Sequence, residues 1–291
     1  MKVLITGGAG RIAHWTALRL YEEGHEVVLF DRVPLPEMER DDLRRSMGFV
    51  EGDIMDPESF LRASEGANGI VHQAGILIPQ ADTFNVNTVG TWNAFETARQ
   101  VGADRVVLAS SVNALGIGWN ITMKPFELVD YVPFDEEHPV HPEDSYSLAK
   151  YFNELTAAGF TQAYGIKTAS MRYGGVRTPD QLKAHAANPP EPYFGPNESG
   201  YRGIWGYVDV RDVAQANCKA LLEPHLPPSG AYYITAADTQ SSLDTMELLR
   251  RFLPDWVSKA RDLTGRQSLY SSARAAKAFG YKPEHSWMDY T

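Results

Sequence analysis

Apolar residues in the first two thirds of the chain gather into short continuous runs, at 2–5, 27–30, 48–52, 69–74, 105–110 and 167–173. Runs of that length without polar alternation predict strands buried on both faces, as in a parallel sheet. Between them lie stretches of helical spacing: Ile12, Leu18 and Leu20 after the first run, then 57–64, 87–101 and 147–164. Strand and helix alternate, so the expected architecture is α/β, a doubly wound parallel sheet of the Rossmann type. A helix at 213–222 and a strand at 231–236 extend the pattern, the strand returning to the same sheet.

Regularity weakens after Tyr173. Residues 179–206 are rich in Pro, Gly, Asn and aromatics, and the tail from Thr239 mixes two short helical patterns with Tyr281-Lys282-Pro283. Such a stretch predicts a small C-terminal substrate lobe over the sheet edge where open α/β sheets bind ligands. The expected division is a dinucleotide-binding region at 1–175 and a mainly substrate-binding region at 176–291, with 231–236 crossing back.

Chemistry enters where the first strand ends. It runs into Thr6-Gly7-Gly8-Ala9-Gly10-Arg11-Ile12-Ala13, and the second strand ends at Asp31. Gly7 can take the positive φ of a tight turn, Gly10 lets backbone approach a pyrophosphate, and Ala13 allows close helix-to-strand packing. The helix that follows offers free N–H groups to phosphates. Asp31 lies about twenty residues beyond the glycines, where a carboxylate accepts hydrogen bonds from adenosine ribose hydroxyls. A 2′-phosphate would meet like charge there, which favours NAD over NADP, although Arg32 tempers that preference.

Composition narrows the classes of partner. The 291 residues are 43% hydrophobic, ample for a core, and carry a net charge of −10 with a pI near 5.3. Nucleic acid and anionic membranes attract clustered basic residues, so neither is an expected partner. One cysteine, Cys218, excludes an internal disulfide and a thiolate zinc cluster, and reads as a small buried side chain. With no long apolar span and a strand at its start, the chain is expected in the cytoplasm.

Tyr146-Ser147-Leu148-Ala149-Lys150 sets a phenol and an ammonium four residues apart at a helix start, on one face. A tyrosine of pKa about 10 is a poor base, but an ammonium within about 6 Å favours the phenolate, each unit of lowering being about 1.4 kcal/mol. A tyrosine poised this way takes the proton of a substrate alcohol while hydride leaves for a nicotinamide. An ordinary surface pair has the same spacing. Ser111 follows directly on the 105–110 strand, where its hydroxyl can bind substrate oxygen or cap a turn. Asn87 can fix Lys150 through a water or a carbonyl, or serve as a helix N-cap.

In order along the first 215 or so residues, these pieces resemble the extended branch of the short-chain dehydrogenase/reductase superfamily, which holds epimerases, dehydratases and dehydrogenases. The resemblance rests on the glycine turn, Asp31, Gly52-Asp53-Ile54, His72-Gln73-Ala74-Gly75, Asn87 to Thr91, Ser110-Ser111, Tyr146 to Lys150, Met171-Arg172-Tyr173 and Tyr207 to Ala214. It implies NAD held by Gly7, Gly10, Arg11, Ile12, Asp31, Arg32, Asp53, Ile54, Ala74, Gly75, Asn87, Tyr146, Lys150 and Tyr173. It also implies Ser111, Tyr146 and Lys150 as catalytic residues. Relatives acting on nucleotide sugars usually carry an Asn where this chain has Gly175, which points to a smaller substrate.

The form Arg172-Tyr173-Gly174-Gly175-Val176-Arg177-Thr178-Pro179 and the ending Phe279 to Pro283 are similar to uronate dehydrogenases of this branch, though Val112-Asn113-Ala114 departs from their Asn-His pair. The expected substrate pocket comprises Gly75 to Gln80, Ser111, Asn113, Tyr146, Tyr173, Gly174, Arg177, Tyr201, Arg202 and Trp205. Arg177 or Arg202 can bind a carboxylate bidentately or sit in an ordinary ion pair. The loop 119–143 reads as a pocket rim, a surface loop or a subunit contact. Its Asp135, Glu136, Glu137, His138 and His141 are interrupted by prolines, and hydride transfer needs no metal, so none is expected. Asp209 and Asp212 read as structural.

The expected activity is NAD-dependent hydride transfer with a secondary alcohol or hemiacetal of a small sugar or sugar acid. Two rivals remain: a sugar epimerase that keeps its NAD, and a non-catalytic NAD-binding sensor. Trp92, Phe95, Phe152, Leu155 and Phe160 lie beyond one obvious core stripe, which suggests a homodimer through the 87–101 and 147–164 helices.

Overall fold

A computed structural model describes residues 1–38, 40–119, 121–191 and 203–291. Along the chain come β1 (Lys2–Thr6), α1 (Arg11–Glu22), β2 (Glu26–Asp31), α2 (Asp41–Arg44), β3 (Gly48–Glu51), α3 (Pro57–Ala63), β4 (Gly69–His72), α4 (Thr83–Val101) and β5 (Arg105–Ser111). Next are α5 (Lys124–Glu127), α6 (Ser145–Tyr164), β6 (Lys167–Tyr173), β7 (Gly175–Arg177), α7 (Pro179–Ala187), β8 (Tyr207–Asp209), α8 (Val210–Leu222), β9 (Ser229–Ile234), α9 (Thr245–Phe252) and α10 (Ala273–Phe279).

The main sheet is seven-stranded and runs β3-β2-β1-β4-β5-β6-β9, every neighbouring pair parallel. Alternate residues of each strand serve opposite faces. Val3, Ile5, Val71, Val107 and Met171 meet α1 and α8 on one face, while Leu4, Phe30, Ile70, Val106 and Leu108 meet α3, α4 and α6 on the other. Both faces are covered, which is why the strands read as unbroken apolar runs. The strand returning at the edge is β9, which pairs with β6 from Thr168↔Ser229 to Tyr173↔Ile234.

Register decides what faces the ligand edge. Thr6 stands opposite both Phe30 and His72, and Ser111 opposite Tyr173. The glycine turn, Asp31, the turn after His72 and Ser111 therefore emerge along one rim. The strand order reverses between β1 and β4, and that switch point opens a crevice.

Several boundaries differ from those expected. The fourth strand stops at His72, leaving Gln73 and Ala74 to the loop, and α4 starts at Thr83, which puts Asn87 a full turn inside the helix instead of at its cap. In α6 the N-cap is Asp144, whose carboxylate accepts from Tyr146 N at 2.8 Å and Ser147 N at 2.9 Å. Asp209 caps α8 by accepting from Arg211 N at 2.8 Å, and Asp212 accepts from the backbone of Glu284 and His285, so both acids are structural. Cys218 is buried in the α8 face. The stretch after Tyr173 holds more regular structure than expected: β7 pairs with β8, and α7 opens on a capping box between Thr178 and Gln181. That box was legible as Thr-x-x-Gln.

A third apolar cluster builds the lobe. Val112 and Leu115, directly after β5, and Phe126 and Phe134 from the long loop pack with Trp205, Leu248, Trp256 and Tyr270. Chain from both sides of residue 175 thus forms one core, and the loop is held in it. Its acidic and histidine side chains have separate partners: Asp135 accepts from the Tyr131 hydroxyl, Glu136 from Tyr233 N, and Glu137 pairs with Arg274. His138 accepts from Asp130 N on Nε2 and faces the Pro139 carbonyl with Nδ1, burial holding its pKa below the usual value. Among the described residues no group of three His, Cys, Asp or Glu could hold a metal, and no helix is long and apolar enough to cross a membrane.

Candidate active site

At the switch point lies a cleft of about 370 Å³. Gly7, Gly10, Arg11 and Ile12 line it from the glycine turn, Asp31 and Arg32 from the end of β2, Asp53 and Ile54 from the loop after β3, and Ala74, Gly75 and Ile76 from the turn after β4. Gly7 has φ +69°, and a Cβ there would stand 2.9 Å from Ala74 N. The turn therefore needs glycine both for its conformation and for the approach of the β4 loop. Asp31 takes Ala9 N at 3.0 Å and Val33 N at 3.2 Å, tying the glycine turn to β2 while its carboxylate lines the cleft.

A lock unassigned in the sequence joins the two turns. Thr6 Oγ1 accepts from Gln73 N and Ala74 N, each at 3.2 Å, and lies 2.8 Å from His72 Nδ1. With its lone pairs so used, the hydroxyl donates its proton to the ring. Burial, with Lys150 nearby, pushes His72 down to about 3, so the ring is neutral and able to accept.

No direct bond joins Lys150 to the Asn87 side chain. Its Oδ1 accepts from Ile76 N at 2.7 Å and its Nδ2 donates to Ile76 O at 3.0 Å, which pins the loop lining the cleft. Lys150 Nζ donates instead to Ala109 O at 2.7 Å, bridging α6 to β5. A Cβ on Gly75 would stand 3.8 Å from that ammonium, so Lys150 reaches the cleft wall at Gly75.

Ser111 neighbours Tyr146 closely enough for its hydroxyl to favour the phenolate, and it accepts from Asn113 N at 3.1 Å. Turn cap and site residue are here the same side chain. Lys150 Nζ lies 5.6 Å from the Tyr146 ring centroid, and both side chains are buried. The expected lowering of the phenol by its cationic neighbour is not what prevails. Burial raises the Tyr146 pKa, the Ser111 hydroxyl opposes it, and Asp144 adds to the rise. The ammonium is tied to a carbonyl, and burial brings Lys150 down to about 8 against the pull of Glu154.

Beneath this pair, Arg172 forms a two-point ion pair with Glu154, Nε to Oε1 at 2.9 Å and Nη2 to Oε2 at 2.8 Å. Ser110 Oγ donates to the same carboxylate at 2.6 Å. One turn beyond Lys150, α6 is thereby clamped to β5 and β6.

Of the residues expected at the substrate, Ser111, Asn113 and Tyr146 come together and Ile76 lines the cleft, while Gln80 sits at the approach to α4. Others turn elsewhere. The Tyr173 hydroxyl accepts from Gln73 Nε2 at 3.0 Å and donates to Asn217 Oδ1 at 2.6 Å, in the face packed against α8. Gly174 is buried, a Cβ there meeting the Tyr207 backbone at 3.1 Å, and Trp205 packs into the lobe core beside Phe252. Apolar clusters claim Tyr173 and Trp205, and the close Tyr207 backbone claims Gly174. Arg177 is half-buried and bonds the Gln240 side chain. Tyr201 and Arg202 lie outside the described residues.

The sequence pattern of the NAD dependent epimerase/dehydratase family matches residues 3–234. The chain belongs to that family. It is accordingly an NAD-dependent enzyme of the extended short-chain dehydrogenase/reductase type, and NAD is its cofactor. The putative UDP-glucose 4-epimerase of Methanocaldococcus jannaschii is 29% identical over 60% of this chain, a match spanning 55% of that protein's length. Among solved structures, the UDP-glucose 4-epimerase of Thermus thermophilus in complex with NAD is 25% identical at a TM-score of 0.68, covering 98% of this chain and 95% of that one. A glucuronic acid dehydrogenase from Chromohalobacter salexigens shares the fold at 22% identity and a TM-score of 0.66, over 99% of this chain and 86% of its own.

The family cofactor fits what the cleft offers. A Cβ at Gly7 would fill the place where backbone must come close, α1 carries no acid in its first turn, and Asp31 stands at the end of β2. These suit a diphosphate and a ribose diol.

Proposed function

We propose that this family member is a dehydrogenase acting on a secondary alcohol or hemiacetal of a small sugar or sugar acid. The observation that carries the reading is the buried juxtaposition of Ser111, at the end of β5, with Tyr146 and, one turn along α6, Lys150, whose Nζ lies 5.6 Å from the Tyr146 ring centroid. NAD, when bound, supplies the carbon that takes or returns the hydride. Ser111 orients the substrate oxygen, and Tyr146 takes its hydroxyl proton. Lys150, placed between the Gly75 wall and the Tyr146 ring, holds the ribose and favours the phenolate once the ligands order the site. Gly175, standing where nucleotide-sugar enzymes usually carry Asn, supports a substrate without a nucleotide. The test is a screen of aldoses, uronates and polyols with NAD for NADH absorbance. Turnover that disappears in Tyr146→Phe supports the reading, and silence across the panel overturns it.

Likeness to UDP-glucose 4-epimerases over nearly the whole chain favours a second reading, an epimerase that returns the hydride to the other face. Stoichiometric NAD retained through purification, with no net NADH release, would decide for it.

The protein's apolar surface supports a homodimer. Trp92, Phe152 and Leu155 are 56%, 48% and 51% exposed on α4 and α6, whereas Phe95 and Phe160, expected beside them, are core residues under the sheet. Leu155→Glu should then yield monomers by light scattering. A cytoplasmic location fits a chain whose single thiol is buried.

A further inference from the structure

Arg11 and Arg177 lie within electrostatic reach of one another, linked through Gln181. Arg11, the first residue of α1, donates from Nη1 to Gln181 Oε1 at 3.1 Å, and the same oxygen accepts from Thr178 N, next to Arg177, at 3.0 Å. Arg177 itself folds back over Gly175, its guanidinium 3.6 Å from where a Cβ would be, and donates to Gln240 Oε1 at 3.4 Å. Neither guanidinium has a carboxylate partner among the described residues. The two like charges repel, and Arg177 is held below its usual pKa by burial and by Arg11. A half-buried cation with five donors and a neutral amide for a partner is an arrangement awaiting an anion.

The position says which anion. It must touch Arg11 at the head of α1, beside Gly7 and Gly10, and also reach Arg177 at the end of β7. Arg11 lines the cleft together with Gly7 and Gly10, where the family's cofactor carries its diphosphate. We propose that Arg11 and Arg177 close on the cofactor's diphosphate from two sides, forming an ionic clamp that adds to the helix N–H groups of α1. The missing side chain at Gly175 is what lets Arg177 lie across the strand. This assignment rests on the NAD-dependent reading of the family and moves Arg177 from the substrate to the cofactor.

Isothermal titration of NAD and of ADP-ribose into wild type, Arg11→Gln and Arg177→Gln tests it, with adenosine displacement of bound NADH as the phosphate-free control. A charge-assisted hydrogen bond lost from each variant should weaken NAD and ADP-ribose by about tenfold or more and leave adenosine unchanged. Arg177→Lys should recover part of the loss, and raising salt should weaken wild type more steeply than either variant. Arg11 is exposed, so its variant reports on binding even if Arg177→Gln folds poorly. Unchanged NAD affinity in both variants overturns the clamp, as does an equal loss for adenosine. So does a loss confined to the KM of an acidic sugar. Wild type that takes up neither NAD nor ADP-ribose would instead bring down the cofactor reading itself.

Discussion

Around the glycine turn this protein works with backbone, and at the end of β5 it works with side chains. Gly7, Gly10 and the β4 loop meet through main-chain atoms, with Thr6 and Asp31 binding N–H groups to keep them in place. Ser111, Tyr146 and Lys150 are instead brought together from β5 and α6, and the Glu154–Arg172 pair holds those elements in relation. The first half is preorganised by short local turns. The second depends on a buried ion pair and on burial, which sets the protonation of both titrating groups. A local motif can be built once and reused, whereas a side-chain constellation is only as good as the elements under it.

That contrast can be broken at either end. Tyr146→Phe should cost the most, about 10²–10⁴ in kcat, with NAD affinity nearly unchanged because the phenol only handles the substrate proton. Single-turnover rates and titration of NAD measure the two separately, and equal losses in both would show that the halves are not independent. Arg172→Leu leaves Glu154 buried without its partner and should destabilise the fold by about 3–5 kcal/mol in urea denaturation. A small effect would mean that α6 is held by packing alone.

Lys150→Met should remove a pH dependence of stability. The Lys150 pKa in the folded chain, about 8, lies below its unfolded value of 10.5, so between those pH values the unfolded chain holds more protons and rising pH favours the fold. In wild type this contribution is worth at most about 3 kcal/mol and is already complete above the unfolded value. Stability measured by denaturation from pH 7 to 10.5 should rise less in the variant; parallel curves would place no buried charge at Lys150. Smallest is Gly7→Ala, in which a left-handed alanine costs about 1–2 kcal/mol and its Cβ pushes on the β4 loop. NAD binding should weaken while substrate KM moves little, a split that sharpens the separation of the two halves.

Much of this was legible before any coordinates. Parallel strands buried on both faces leave continuous apolar runs, and a glycine turn between strand and helix followed by an acid at the next strand's end has one common use. Local chemistry suffices for such features, which is why the α7 capping box, too, was readable in Thr178 and Gln181. The roles of Asn87, Tyr173 and Trp205 were not readable. Each depends on which partner arrives from a distant segment: Ile76 for Asn87, Asn217 on α8 for Tyr173, and the lobe core for Trp205.

By itself the sequence determined the sheet, the cofactor turn and the identities of the serine, tyrosine and lysine, because periodicity and short spacings set these within a few residues. Only the tertiary structure decided that Lys150 binds Ala109, that burial raises the Tyr146 pKa, and that Arg177 comes within electrostatic reach of Arg11. Charge and burial act through space, so their balance exists only once strands and helices far apart in the chain have packed together.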